Sequence, residues 1–144
     1  MAKWNKKIFI DTLKENCKPH IVNIVLELIN FSEETADTIS WGRGEGHGTM
    51  TYKCKSEDWG IVPLFHVTTA GQIKFLLNHM RTKIRKKEIL RDYQMKLESN
   101  FMLDFGDDVY TSDIYFETQE LFHTKTEMTK FVQTINGLTA RFHQ

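Results

Sequence analysis

The chain has 144 residues, 19 Lys+Arg against 19 Asp+Glu, and 40% hydrophobic residues. That length suits one domain spanning 1–144. The apolar share excludes a disordered chain, and two distant Cys exclude a disulfide scaffold. A formal charge of zero excludes a uniformly basic nucleic-acid binder but leaves a local basic patch open.

The N-terminus, Met1 to Lys7, is basic, but the apolar run behind it is only Ile8-Phe9-Ile10 and stops at Asp11. A signal peptide needs a longer apolar centre and a small-residue cleavage site. The longest apolar region, Ile21 to Phe31, is broken by Asn23, Glu27 and Asn30 and falls short of the ~20 residues that span a bilayer. The expectation is a cytoplasmic protein with free thiols and no membrane partner.

Residues 5–16 read as a helix with Asn5 as N-cap and Ile8, Phe9 and Leu13 apolar. Pro19 suits the first turn of a second helix, over about 19–33, that is apolar almost all round. The period then changes to two. Thr38–Trp41, Thr49–Cys54, Val62–Val67 and Ile73–Leu76 read as four strands of an antiparallel meander, with Thr69–Gln72 a turn. Pro63 sits early in its strand, where a missing donor is tolerated.

Helical spacing returns with Ile89, Leu90, Tyr93 and Leu97, giving a helix over about 86–98. Residues 101–106 suggest a short extended piece, and Ser112 to Phe116 a fifth strand. Thr124-Lys125-Thr126-Glu127 has the form of a capping box opening a last helix. Met128, Phe131, Val132, Ile135, Leu138 and Phe142 follow at spacings of three and four. Gly137 inside that helix predicts a close packing contact. The order α-α-β-β-β-β-α-β-α predicts an α+β fold, with an antiparallel sheet of four to five strands and helices packed on it. It excludes a doubly wound fold.

The most unusual stretch is Trp41-Gly42-Arg43-Gly44-Glu45-Gly46-His47-Gly48, which holds half of the chain's 8 glycines. Along an extended chain, alternate glycines bare one face and leave Trp41, Arg43, Glu45 and His47 on the other. One reading is an anion cradle, in which backbone N–H groups and Arg43 converge, with His66 across the hairpin. The run lacks Gly-Lys-Ser/Thr and fails Gly-x-Gly-x-x-Gly, so the plainer reading is a hairpin that needs close backbone approach. A ligand or phosphate site would draw on Trp41, Arg43, His47 and His66.

Residues 81–91 carry six basic groups, Arg81, Lys83, Arg85, Lys86, Lys87 and Arg91, against Glu88 alone. Of these, Lys83, Arg85, Lys86, Lys87 and Arg91 are the candidate nucleic-acid contacts; the alternative is a solvated basic face. Residues 104–120 carry six acids and no Lys or Arg. Within them, Asp104-Phe105-Gly106-Asp107-Asp108 lacks the twelve-residue calcium loop and reads as a polar loop. The net zero is therefore a cancellation between two segments.

No pair among His20, His47, His66, His79, His123 and His143 has helical i,i+4 spacing, and Cys17 and Cys54 lack the paired spacing of a zinc site. No metal, cofactor or catalytic residue is expected. A Cys54–His66 nucleophile pair across a hairpin is a remote reading.

Trp41-Gly42-Arg43-Gly44 with Gly48, Leu64-Phe65-His66-Val67 and Gly71-Gln72-Ile73-Lys74-Phe75 resembles a family of uncharacterised bacterial α+β domains. Those domains carry a WGxGxxxGS element followed by two characteristic strands. The resemblance covers roughly residues 20–142, with Thr49 where the family has Ser, and Glu45 and His47 more polar than a plain turn asks. It implies a compact α+β module, found alone or fused to restriction-endonuclease-like or other DNA-related modules. It implies no established activity and no catalytic residues.

Three functions follow as expectations. The first is a non-catalytic accessory or recognition module associated with nucleic acid, in genome defence or DNA processing. The second is a protein-interaction module, in which the opposed charged segments serve a protein partner or a homodimer. The third is a small-ligand binder or enzyme with a cleft near the Gly-rich hairpin.

Overall fold

The computed structural model describes residues 4–44, 47–103, 105 and 113–143. Two helices lead: α1, Lys6–Asn16, and α2, Pro19–Thr35. The Asn5 carboxamide caps α1 by accepting the Ile8 N–H at 2.9 Å. Pro19 opens α2, where its missing N–H costs nothing. Helix α2 buries Val22, Val25, Leu28, Ile29 and Phe31 and leaves Asn23, Glu27 and Asn30 exposed, so it faces the core on one broad side.

Five strands follow the order β1-β2-β3-β4-β5 in one antiparallel sheet. They are β1, Thr38–Gly44; β2, His47–Ser56; β3, Gly60–Thr68; β4, Gln72–Phe75; and β5, Tyr115–Glu117. The first four strands pair in the meander that the turn signals predict, and β5, which follows two helices, adds to the far edge of β4. The β2–β3 register shifts between Tyr52 and Lys53, so that Tyr52 faces Phe65 while Lys53 faces Pro63. Leu64 is the extra residue of that bulge, beside the one position in the strand that has no donor.

The remaining helices are α3, Leu77–Lys83; α4, Lys87–Phe101; α5, Thr118–Leu121; and α6, Lys125–Phe142. The short helices α3 and α5 carry too few turns to show a period in sequence. Helix α3 has a structural task. Strand β4 ends at Phe75 and leaves the edge of β3 unpaired beyond Phe65. The Leu76 N–H donates to the Leu64 carbonyl at 3.0 Å, and the Lys83 ammonium to the Ile61 carbonyl at 2.6 Å. The edge is thereby occupied. Helix α3 has no side-chain cap of its own. The Asp113 carboxylate supplies one by accepting the Asn78 and His79 N–H groups at 2.8 and 3.3 Å.

The core lies between one sheet face and the helices. Tyr52 on β2 stacks between Phe31 of α2 and Phe65 of β3, with centroids 5.8 and 5.1 Å away. Phe131 of α6 is fully buried against the rings of Phe65, Phe75, Phe101 and Phe122. The other sheet face carries a cross-strand row of Ser40, Thr51, His66, Lys74 and Tyr115.

Three expectations need adjustment. Thr124 caps α6, but not as the reciprocal box: its hydroxyl accepts the Thr126 N–H at 3.2 Å and donates directly to the Glu127 carboxylate. Gly137 of α6, however, is not a tight contact. A Cβ there meets only the Lys96 ammonium, at 3.9 Å. Gly71, by contrast, is tight, with φ +77° and the Ile21 Cγ2 atom 2.6 Å from a would-be Cβ. In the region expected to be extended, Phe101 still belongs to α4, and residues 104 and 106, like Ser112, lie outside the described residues. No helix among the described residues is long and apolar enough to cross a membrane.

Candidate functional site

The described residues of the Gly-rich run are strand. β1 continues through Gly42 to Gly44, and Gly44 pairs with His47. Glu45, Gly46 and the side chain of Arg43 lie outside the described residues. Register then assigns faces. Trp41 opposes Met50, and Met50 opposes Val67, so Trp41 belongs to the core face. Its ring packs on Phe9 with centroids 5.4 Å apart. His66, adjacent to Val67, belongs to the other face, as does His47 by alternation with Thr49 and Thr51. The pairing of Gly44 with His47 reverses the parity that a single extended run would have kept. Trp41 and His66 therefore do not share a cleft.

Among the glycines of this run, Gly42 has no atom within 4 Å of a would-be Cβ, whereas one on Gly48 meets the Trp4 ring at 2.5 Å and Thr69 Cγ2 at 2.9 Å. Gly48 lets the Trp4 ring come close against β2, which is the close approach a glycine permits.

His66 hydrogen-bonds through Nδ1 to the Thr51 hydroxyl at 2.7 Å. Burial, and after it the charges of Lys74, His79 and Lys53, push its pKa down to about 4, so it is neutral at pH 7. It pairs with Thr51, not Cys54, which lies opposite Val62. The Cys54–His66 pair is thus not assembled. Cys54 is instead beside His143, whose Nε2 is 3.5 Å from its Sγ, and that same Nε2 is 2.7 Å from Asp37 Oδ2. Burial pushes the Cys54 thiol up to about 12, with a smaller push from Asp37. A nucleophilic Cys needs a lowered pKa, and a triad His addresses its two partners through different ring nitrogens. Neither condition holds. Cys17 is raised as well, by burial and then by Glu117.

The basic segment forms a more coherent site. Arg81 and Lys83 lie in the last turn of α3, where cations suit the helix dipole. The next helix reverses that logic. Lys86 stands at the N-cap of α4 without a side-chain cap bond, Lys87 is its first residue, and Arg85 precedes them. These cations sit at the positive end of a fifteen-residue helix, and no side chain among the described residues accepts from its leading N–H groups. A cleft of about 300 Å³ opens between α3 and α4, lined by Arg81, Lys87 and Arg91 over an apolar floor that includes Ile84 and Leu90. Arg81 donates to the Gln94 side chain. Among the described residues, Lys83, Arg85, Lys86, Lys87 and Arg91 form no ion pair with a carboxylate. Asp104, Asp107 and Asp108 lie outside the described residues, while Asp113 caps α3.

Of the five candidate nucleic-acid contacts, Lys87 and Arg91 line the cleft, and Arg85 and Lys86 are exposed in the α3–α4 connection. Lys83 points elsewhere, to the β3 edge. Sequence reading missed Gln94 as a cleft residue, although 87, 91 and 94 fall on one helical face and the spacing was there to find. It also missed Asp37 and His143 beside Cys54. They are far apart in sequence, and no motif marks them.

No protein-family model matches the chain, and no curated protein or solved structure is significantly similar to it.

Proposed function

We propose that the protein is a non-catalytic recognition module that contacts nucleic-acid phosphates through the α3–α4 cleft. The observation that carries this is the set of cations at the uncapped N-terminus of α4. Placing Arg85, Lys86 and Lys87 there works against the helix dipole, and an anion reverses that penalty. The N-terminal end of α4 with Lys87, Arg91 and Arg81 favours an oxygen-rich, negatively charged ligand.

Among the described residues the cleft is lined by no aromatic ring, and Tyr93 is turned into the core. Stacking on bases is therefore not part of the proposal, and the contact would be to the backbone and sequence-tolerant. The resemblance to domains fused with DNA-related modules suits a genome-defence or DNA-processing setting. Fluorescence anisotropy with labelled DNA and RNA, at low and moderate salt, tests the reading. Salt-dependent binding supports it, and no binding at micromolar protein refutes it.

A further inference from the structure

Away from the basic cleft, three elements bring three metal-ligating atoms to one point. Asp37 sits between α2 and β1, where the Lys55 N–H donates to its Oδ2 at 2.7 Å. Cys54 is the inward-facing, fully buried residue of β2 beside that turn. His143 caps α6, its N–H donating to the Thr139 carbonyl at 2.9 Å. Phe142, buried and packed edge-on against Trp59 at 6.2 Å, anchors this end of α6 to the β2–β3 hairpin. The cluster's atoms all lie within 4.8 Å of one another.

We propose that Asp37, Cys54 and His143 form a binding site for one borderline-soft divalent cation of the Zn²⁺ class. The donor set is one thiolate sulfur, one imidazole nitrogen and one carboxylate oxygen, all accepted ligand types for that ion. Tetrahedral Zn²⁺ with ordinary bond lengths separates sulfur from nitrogen by about 3.6 Å and nitrogen from oxygen by about 3.3 Å. The observed separations are 3.5 Å for Sγ to Nε2 and 2.7 Å for Nε2 to Oδ2. Of these two, the second must open, by roughly 0.6 Å on those bond lengths. Asp37 and His143 are partly exposed, so a small side-chain rotation supplies it.

The shared nitrogen is the telling detail. Nε2 faces both sulfur and oxygen, so the three groups converge on a centre instead of forming a relay. The Lys55 N–H supplies the outer hydrogen bond that orients a ligating carboxylate. Binding sends the Cys54 thiol proton to solvent, because the ligand is the thiolate. A fourth position opens toward a cleft of about 500 Å³ lined by Lys55, Ser56, Glu57 and Gly60, leaving room for water or a further ligand.

The test is titration of the metal-free full chain with Zn²⁺ by calorimetry and with Co²⁺ by absorption. The expected result is one ion per chain, with a thiolate-to-cobalt charge-transfer band. His143→Ala and Asp37→Ala change partly exposed side chains and should keep the fold. Each should weaken Zn²⁺ binding by tenfold or more, and Cys54→Ser should abolish the charge-transfer band. The proposal is overturned if no stoichiometric ion binds. It is equally overturned if the two exposed-site variants bind as the wild type does while His123→Ala does not, because His123 with Glu127 is the competing surface pair.

Discussion

Replacing Lys87 and Arg91 by Ala removes two of four exposed cations, Arg85, Lys86, Lys87 and Arg91, that form no ion pair among the described residues. Substitutions at such exposed positions usually shift stability by no more than about 0.5 kcal/mol, so the double variant should fold. If each of the four side chains neutralises one phosphate, the slope of log affinity against log salt on duplex DNA is about −3.6. Raising salt from about 50 to about 200 mM then weakens wild-type binding by about 150-fold. The variant keeps two contacts, so its slope is about −1.8 and the same change weakens it by about 12-fold. Fluorescence anisotropy of a labelled duplex over a salt series gives both slopes, with circular dichroism to establish that the variant is folded. Lys14→Ala on α1 should leave the slope unchanged. Equal slopes for wild type and double variant would sink the cleft as the binding surface. A flat wild-type slope would sink phosphate contact altogether.

Gly71→Ala forces a side chain into φ +77° and within 2.6 Å of Ile21 Cγ2. Left-handed strain plus overpacking should cost about 2–5 kcal/mol and lower the melting temperature by several degrees, read by thermal denaturation. Gly137→Ala faces only open space and the Lys96 ammonium, so it should stabilise by about 0.5–1 kcal/mol, and a lowered melting temperature would contradict that. The pKa of His66 is lowered to about 4 in the folded chain, so the unfolded chain binds more protons between about pH 6.5 and pH 4. Its contribution to stability is complete above that window and is lost as pH falls through it, about 3 kcal/mol for the full shift and less after solvent screening of the partly exposed ring. Chemical denaturation of the wild type and His66→Asn across this range should show the difference between them shrinking or reversing toward acid pH. Addition of excess Zn²⁺ should raise the melting temperature of the wild type more than that of His143→Ala, since a ligand bound only by the folded state stabilises it.

What the sequence determined by itself was the local structure. Asn5, Pro19 and Thr124 mark helix starts through hydrogen bonds that close within three residues or through a fixed φ. The change from period 3.6 to period 2 near Thr38 placed the meander, because burial of one face imposes that pattern on any half-covered strand. The cations at 81–91 were legible for the same reason, being neighbours in the chain.

Tertiary structure decided the rest. Only the pairing of Gly44 with His47 sets the parity of the hairpin, and that parity puts Trp41 and His66 on opposite faces. Only the packing of α3 beside α4 makes a cleft from Arg81, Lys87 and Arg91. Asp37, Cys54 and His143 meet because a turn, a strand and a helix end at the same corner of the sheet. Such convergence depends on long-range packing, and a single sequence records it only as three unrelated residues.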